Sequence, residues 1–111
     1  MNSRDLAALL DIAQAARLCQ EFVAGMTQAD FASDRKTQSA VLYQIAILGE
    51  AVKRLPQEFR SQHPDIPWTA MAGMRDKLIH DYEGVDVARV WLTLESSIPS
   101  LLNSIEPLLP D

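Results

Sequence analysis

The chain has 111 residues, a formal net charge of −5 and a pI of about 4.9. Its length is typical of one compact domain, which we expect to span residues 1–111. The acidic balance excludes binding to nucleic acid through broad charge attraction, because such binding depends on neutralising phosphates, but it leaves room for a small basic site. No apolar run approaches about 18 residues, so no membrane span is expected.

The cysteine content and the apolar content bear on compartment and assembly. Cys19 is the only cysteine, which excludes an internal disulfide. Together with the lack of a signal pattern at the start of the sequence, this predicts the reducing cytoplasm. Cys19 itself is expected to be a buried small apolar residue. At 48% hydrophobic residues the core is small. Helical domains of this size often complete their burial by oligomerising, so a homodimer is expected.

The first half of the chain predicts two long helices. The first is predicted from Ser3 to Ala24, with Ser3 as N-cap and Gly25 as its end. The second is predicted from Asp34 to Leu55 and is stopped by a proline. Residues 27–32 are predicted to form a short connection, in which Asp30, or Ser33 just after it, could cap the second helix. Apolar side chains recur at helical spacing along both segments.

The second half predicts two more helices after an irregular, proline-rich loop over residues 56–67. The third helix opens near Trp68 and is predicted to continue until Gly84 breaks it. The fourth is capped by Asp86 and should be kinked or split by Pro99. Trp68 and Trp91 are expected to anchor the core or an interface. No stretch alternates with a strand period, so the predicted fold is all-α, an up-and-down four-helix bundle with a kinked or split last helix.

A possible catalytic segment lies at the end of the third helical pattern. It contains Arg75, then His80 five residues later, then Tyr82. Histidine exchanges protons near neutral pH, and arginine can grip a phosphate with two hydrogen bonds and stabilise a pentavalent intermediate. RNA carries its own nucleophile, the 2′-hydroxyl. A base, an acid and a cation therefore suffice for cleavage, and no metal or cofactor is expected, since no recognisable ligand set is present.

On a regular helix these three side chains would not converge on one point. On an ideal helix Arg75 and Tyr82 share nearly one face, whereas His80 lies about 140° from Arg75. Convergence would require the helix to loosen or tighten near His80. Asp76, four residues earlier, could hydrogen-bond the imidazole. Glu50, on the second helix, is expected to have a structural role, such as positioning Arg75.

The same segment resembles the R-x4-H-x-Y motif of HEPN domains, specifically the small HepT-like toxins. Further resemblances follow in order along nearly the whole chain. Residues 49–51 are similar to the family's GEA segment, residues 63–68 to its HP-x-IPW segment, and residues 84–91 to its GVD…VW segment. One such match would be weak. The ordered set identifies a single HepT-like HEPN domain.

The resemblance implies a helical-bundle dimer in which both motif copies line a cleft at the interface. It implies a metal-independent endoribonuclease toxin, with Arg75 and His80 catalytic. Its partner would be a minimal nucleotidyltransferase antitoxin that silences it by transferring AMP to Tyr82. Two positions depart from the family pattern. Glu83 replaces a common aromatic residue and Asp76 a common asparagine, and the added negative charge is expected to weaken RNA binding.

Two other readings stay open. In the first, the chain is a non-catalytic module whose cleft holds a nucleotide or docks a nucleotidyltransferase. In the second, it is a plain structural bundle. There His80 would satisfy carbonyls at a helix end, Arg75 would pair with a neighbouring acid, and Tyr82 would pack with its hydroxyl at the rim.

Overall fold

The computed structural model describes residues 1–80 and 84–110, and of Ile79 and His80 it describes the backbone. The chain is all-α, as predicted, apart from one antiparallel pair of two-residue strands. The helices are α1 (Ser3–Phe22), α2 (Gln28–Ala32), α3 (Arg35–Arg54), α4 (Gln57–Gln62), α5 (Trp68–Ala72), α6 (Met74–Leu78), α7 (Val87–Leu92) and α8 (Ile98–Ile105). The strands are β1 (Ile79–His80) and β2 (Gly84–Val85).

The two long helices, α1 and α3, pack along each other and form the centre of the molecule. The cap of α1 is Asn2 rather than the predicted Ser3, because the Asn2 side chain accepts a hydrogen bond from the Asp5 backbone N–H at 2.8 Å. After α1 the chain turns at Gly25, whose φ of 79° favours glycine. Asp34, rather than the predicted Asp30 or Ser33, caps α3 by accepting from the Thr37 N–H at 3.0 Å. The predicted bounds of both helices are therefore confirmed to within two residues.

One continuous hydrophobic core joins α1 and α3 to the shorter helices. Trp68 and Trp91 lie in it, as predicted, and Cys19 is fully buried. Full burial of one large aliphatic side chain contributes roughly 1.5–3 kcal/mol, so the core supplies most of the drive to fold. Its largest fully buried members include Leu9, Ile12, Phe31, Val41, Ile45, Leu48, Val52, Leu55, Val90, Ile98 and Ile105.

The connections on either side of α3 are more helical than predicted. The segment predicted as a short connection forms α2, because Thr27 and Asp30 make a reciprocal capping box at its start. The proline-rich loop contains the six-residue α4. Each short helix buries one aromatic ring, Phe31 in α2 and Phe59 in α4. Packing of these rings holds helices that are too short to be stable alone.

The third predicted helix is broken and ends early. It divides into α5 and α6 at Gly73, and α6 ends at Leu78 instead of continuing to Gly84. From there the backbone is extended, and β1 pairs with β2 in the register Ile79 to Val85 and His80 to Gly84. Gly84 has a φ of 108°, which suits glycine, and the Leu78 carbonyl accepts from the Asp86 N–H at 3.2 Å. These backbone bonds replace those of the predicted helix.

The last predicted helix is interrupted near Pro99 by a change in winding, and its parts stay joined end to end. Asp86 caps α7 by accepting from the Arg89 N–H at 3.1 Å. A π-helical turn, Thr93–Ser97, then leads directly into α8. Pro99 has no N–H to give the carbonyl four residues earlier, and just before it the Ile98 N–H reaches back five residues to the Thr93 carbonyl. A 3-10 turn, Glu106–Leu108, follows α8. Among the described residues no helix has the length and apolar character needed to cross a membrane.

Candidate active site

The segment with the predicted catalytic residues is held against α3 by a close backbone contact. A β-carbon placed on Gly49 would lie 3.3 Å from the Ala72 carbonyl oxygen and 3.6 Å from that of Met71. Gly49 therefore lets the end of α5 approach α3 more closely than any other residue would allow. The buried side chains of Met71 and Leu78 fix α5 and α6 to the core. The position of α6 is thus set by packing on both sides.

On this anchored helix Arg75 faces solvent. Its side chain is 57% exposed, and its guanidinium Nη1 lies 3.5 Å from Oδ1 of Asp76, which is itself exposed. An exposed ion pair of this kind holds its partners weakly, so the guanidinium remains accessible to another anion. Lys77 is also exposed. With two cations and one carboxylate, α6 is a locally positive segment in an acidic chain.

The structure places the backbone of His80 and leaves its side chain and the whole of Tyr82 outside the described residues. His80 lies on β1, opposite Gly84, two residues beyond the end of α6. The prediction that the third helix continues to Gly84 is therefore wrong, because the helix ends at Leu78 and the backbone of His80 is extended. The angle of about 140° between Arg75 and His80 on an ideal helix does not apply here either.

Both supporting residues, Asp76 and Glu50, are exposed. The Asp76 carboxylate lies 3.5 Å from Nη1 of Arg75, and its hydrogen bond to the His80 imidazole stays a prediction, because the described part of His80 is its backbone. Glu50 is exposed on α3 and pairs with Lys53 at 3.5 Å. In the described part of the chain no ion pair joins Glu50 to Arg75. Within residues 1–80 and 84–110 no group of three or more histidine, cysteine or acidic residues is arranged to hold a metal ion.

Two contributions to this region were missed by sequence reasoning. Lys77 adds a second exposed cation to α6, which its position in the motif segment could have indicated. Asp86 was predicted as a cap, but its backbone bond to Leu78, which closes the strand pair, depends on tertiary pairing and leaves no local signal.

The all-α scaffold agrees with the fold that the sequence resemblance implied. A family model described as "Ribonuclease HepT-like" matches residues 12–108, which include the whole motif segment. The chain belongs to the HepT-like ribonuclease family.

Several relatives share most of their length with this chain. A protein named "Probable ribonuclease HepT" from Thermococcus cleftensis is 50% identical over 100 residues, which are 90% of this chain and 91% of the relative. One named "Putative RNase MJ0127" from Methanocaldococcus jannaschii is 38% identical over 112 aligned positions, covering 100% of this chain and 93% of the relative. A third, "Putative RNase TTE0752" from Caldanaerobacter subterraneus subsp. tengcongensis, is 44% identical over 89 residues, 80% of each chain. No solved structure matches the chain.

Proposed function

We propose that this protein is a metal-independent endoribonuclease toxin that cleaves RNA through Arg75, His80 and Tyr82. The observation that carries the proposal is the accessible guanidinium of Arg75 on α6, a helix fixed by packing, with the backbone of His80 two residues beyond its end. Membership of the HepT-like ribonuclease family, and the ribonuclease names of its relatives, support RNA as the substrate.

The proposed reaction is an internal transesterification. The 2′-hydroxyl oxygen attacks the adjacent phosphorus, the bond from phosphorus to the 5′ oxygen breaks, and the products are a 2′,3′-cyclic phosphate and a 5′-hydroxyl. His80 takes the proton from the 2′-hydroxyl or gives one to the leaving 5′ oxygen. Arg75 binds the scissile phosphate and stabilises the extra negative charge on the pentavalent phosphorus. Tyr82 orients the phosphate.

The first test is cleavage of total RNA by the purified protein in EDTA. We expect cutting to survive chelation and the products to end in a cyclic phosphate. His80→Ala should lower the rate by about 10²–10⁴-fold. Arg75→Ala should lower it by about 10²–10³-fold, the usual loss for one group that stabilises developing charge.

Two matched variants control for the loss of a histidine or an arginine elsewhere. His63→Ala removes the chain's other histidine, which ends α4 and stacks on Phe59. Arg17→Ala removes an exposed arginine of α1 whose nearest acid, Glu106, lies 4.0 Å away. Both should cut RNA at the wild-type rate. If the wild type does not cut while Tyr82 is confirmed unmodified by mass spectrometry, the proposal fails and the non-catalytic binding module is favoured.

The proposed active form is a homodimer in which each site takes groups from both copies. Exposed apolar side chains, including Tyr43 on α3 and Leu92 on α7, are available for burial between copies. A composite site would also bring together groups that lie on different backbone elements within one chain. Sedimentation equilibrium should show a dimer at micromolar concentration.

Mixing two inactive variants tests whether the site is composite. In a heterodimer of Arg75→Ala and His80→Ala, one of the two sites regains both native groups if arginine and histidine come from different chains. Random exchange makes half of all dimers mixed, so activity should return to about a quarter of the wild-type value. If each site lies within one chain, the mixture stays as inactive as its components.

The proposed control of the toxin is AMP transfer by a nucleotidyltransferase antitoxin. The phenol oxygen of Tyr82 would attack the α-phosphorus of ATP, lose its proton and release pyrophosphate. The attached AMP adds bulk and negative charge beside Arg75 and excludes RNA. Incubation with the antitoxin and ATP should add one AMP mass to the protein and abolish cutting. Tyr82→Phe should remain unmodified, whereas Tyr43→Phe, which alters an exposed tyrosine of α3, should be modified normally.

A further inference from the structure

The backbone of His80 lies in a strand pair whose other strand begins at Gly84. In the antiparallel pairing of β1 with β2, Gly84 stands directly opposite His80. The backbone bond from the Asp86 N–H to the Leu78 carbonyl, at 3.2 Å, closes the same pair at its other end. The place of the His80 backbone therefore depends on the course of β2, and on the residue that faces it.

Gly84 has a backbone conformation that other residues take only under strain. Its φ is 108°, in the left-handed half of conformational space. An L-residue with positive φ brings its β-carbon too close to a backbone carbonyl oxygen, whereas glycine has no β-carbon. Such strain persists only where the surrounding structure is strong enough to impose it. Gly84 therefore lets the chain enter β2 without this strain.

Packing gives no other reason for a glycine at this position. Gly84 is exposed, and a β-carbon placed on it would meet no atom within 4 Å among the described residues beyond its chain neighbours. Gly49 differs in this respect, because its β-carbon would lie 3.3 Å from the Ala72 carbonyl oxygen. The requirement for glycine at position 84 is therefore one of backbone conformation alone.

The strand pair is too small to impose a strained conformation on another residue. Each strand has two residues, and an isolated two-stranded hairpin is at best marginally stable in water. An L-residue at position 84 should therefore open or shift the pair instead of keeping a positive φ. The helices need not follow, since Gly84 lies outside the hydrophobic core. The backbone of His80 should be displaced while the bundle stays folded.

We propose that Gly84 is a positioning residue for His80 and acts through its left-handed backbone conformation. The inference rests on the proposed function, in which His80 transfers a proton during RNA cleavage. Proton transfer requires the base or acid to lie within hydrogen-bond reach, and a misplacement of about 1 Å can lower a rate by about 10²-fold. Arg75 precedes the strand pair on α6, so its binding of the phosphate is retained when the pair shifts.

Gly84→Ala tests the proposal, and Gly25→Ala is its matched control. Gly25 is also exposed, has a φ of 79°, and would likewise place a β-carbon in open space, but it lies in the turn after α1. Gly84→Ala should lower kcat for RNA cleavage by about 10–100-fold and leave KM little changed. Gly25→Ala should keep the wild-type kcat. Thermal melting confirms that both variants are folded at the assay temperature.

Replacement of Gly84 by D-alanine separates the backbone conformation from the added methyl group. A D-residue takes a positive φ as readily as its mirror image takes a negative one. Total chemical synthesis can supply the full chain with this single change. Gly84→D-Ala carries the same methyl group as Gly84→Ala, yet it should cut RNA with nearly the wild-type kcat. A merely bulky substitution would show no such rescue.

Backbone NMR chemical shifts of His80 give a readout that does not depend on activity. They should be those of an extended, paired residue in the wild type and in Gly84→D-Ala, and should move towards unpaired values in Gly84→Ala. Unchanged shifts in Gly84→Ala would contradict the proposal. If the wild type cuts no RNA, the proposed function fails, while the shifts still decide whether Gly84 positions His80.

Three kinetic results would also overturn the proposal. The first is a wild-type kcat in Gly84→Ala. The second is an equal loss in Gly84→Ala and Gly84→D-Ala, which would assign the effect to the methyl group. The third is an equal loss in Gly25→Ala, which would show that strain anywhere in the chain lowers activity.

Discussion

The contact between Gly49 and the end of α5 makes a quantitative prediction for Gly49→Ala. The new methyl group would stand 3.3 Å from the Ala72 carbonyl oxygen, so α5 must retreat by a few tenths of an ångström. Crowding of this kind costs about 1–3 kcal/mol. Replacing a mid-helix glycine by alanine returns about 1 kcal/mol of helix propensity. The net loss of stability should be roughly 0–2 kcal/mol.

Gly73→Ala is the matched control, because it adds the same methyl group directly after α5, next to the Ala72 carbonyl that Gly49 contacts. Gly73 has a φ of −91°, which alanine adopts readily, and its added β-carbon would meet only the Thr69 carbonyl oxygen at an ordinary 3.5 Å. This change should stabilise the protein by about 0.4–1 kcal/mol through the unfolded chain.

Urea unfolding of both variants, with thermal melting as a second readout, gives the comparison. Each kcal/mol corresponds to about 4 °C in melting temperature for a chain of this size. Because α6 follows α5, a shift of α5 should also displace α6. Gly49→Ala should therefore slow RNA cleavage even where the protein is fully folded, and Gly73→Ala should slow it less. If Gly49→Ala proves more stable than the wild type by about 1 kcal/mol, the helix-propensity term alone governs the site and the steric argument is refuted.

Three further predictions concern stability. Burial raises the pKa of the Cys19 thiol from 9.0 to about 12, so between these pH values the unfolded chain binds fewer protons and stability falls as pH rises. Measured by urea unfolding across this pH window, the stability of Cys19→Ala should fall less steeply than that of the wild type. Equal slopes would contradict the burial of the thiol. Asp86→Ala loses the bond from the Arg89 N–H and should cost about 1 kcal/mol in thermal melting, whereas an unchanged melting temperature would show that the cap is dispensable. Trp68→Phe removes the 3.0 Å bond from Nε1 to the His63 carbonyl and should cost about 1–3 kcal/mol in the same assay, unless water replaces the donor.

The long elements were predictable because their signals are local. Pro56 follows the end of α3, and Asp86 starts α7, both next to the helices that they define. The capping box of Thr27 and Asp30 is also local, and α2 could have been recognised from it.

The end of α6 was not predictable in this way. Residues 79–85 continue an apolar and polar pattern that a helix would also satisfy, and the strands are too short to show a period of two. The strand pair rather than a continued helix forms because of backbone hydrogen bonds between Leu78 and Asp86 and between the two strands. These bonds join residues too far apart in the sequence to leave a local pattern. The sequence therefore indicated the motif, while the backbone that carries His80 required the structure.

The bond between the Leu78 carbonyl and the Asp86 N–H has a consequence for how this family can evolve. It brings the end of α6 and the start of α7 together. Asp86 donates this bond through its backbone and also caps α7 through its side chain. Of the proposed catalytic residues, His80 follows this closure on β1, whereas Arg75 precedes it on α6. Substitutions between Leu78 and Asp86 can change activity, substrate or control without a matching change in the core. Selection can therefore act on this segment and on the scaffold separately.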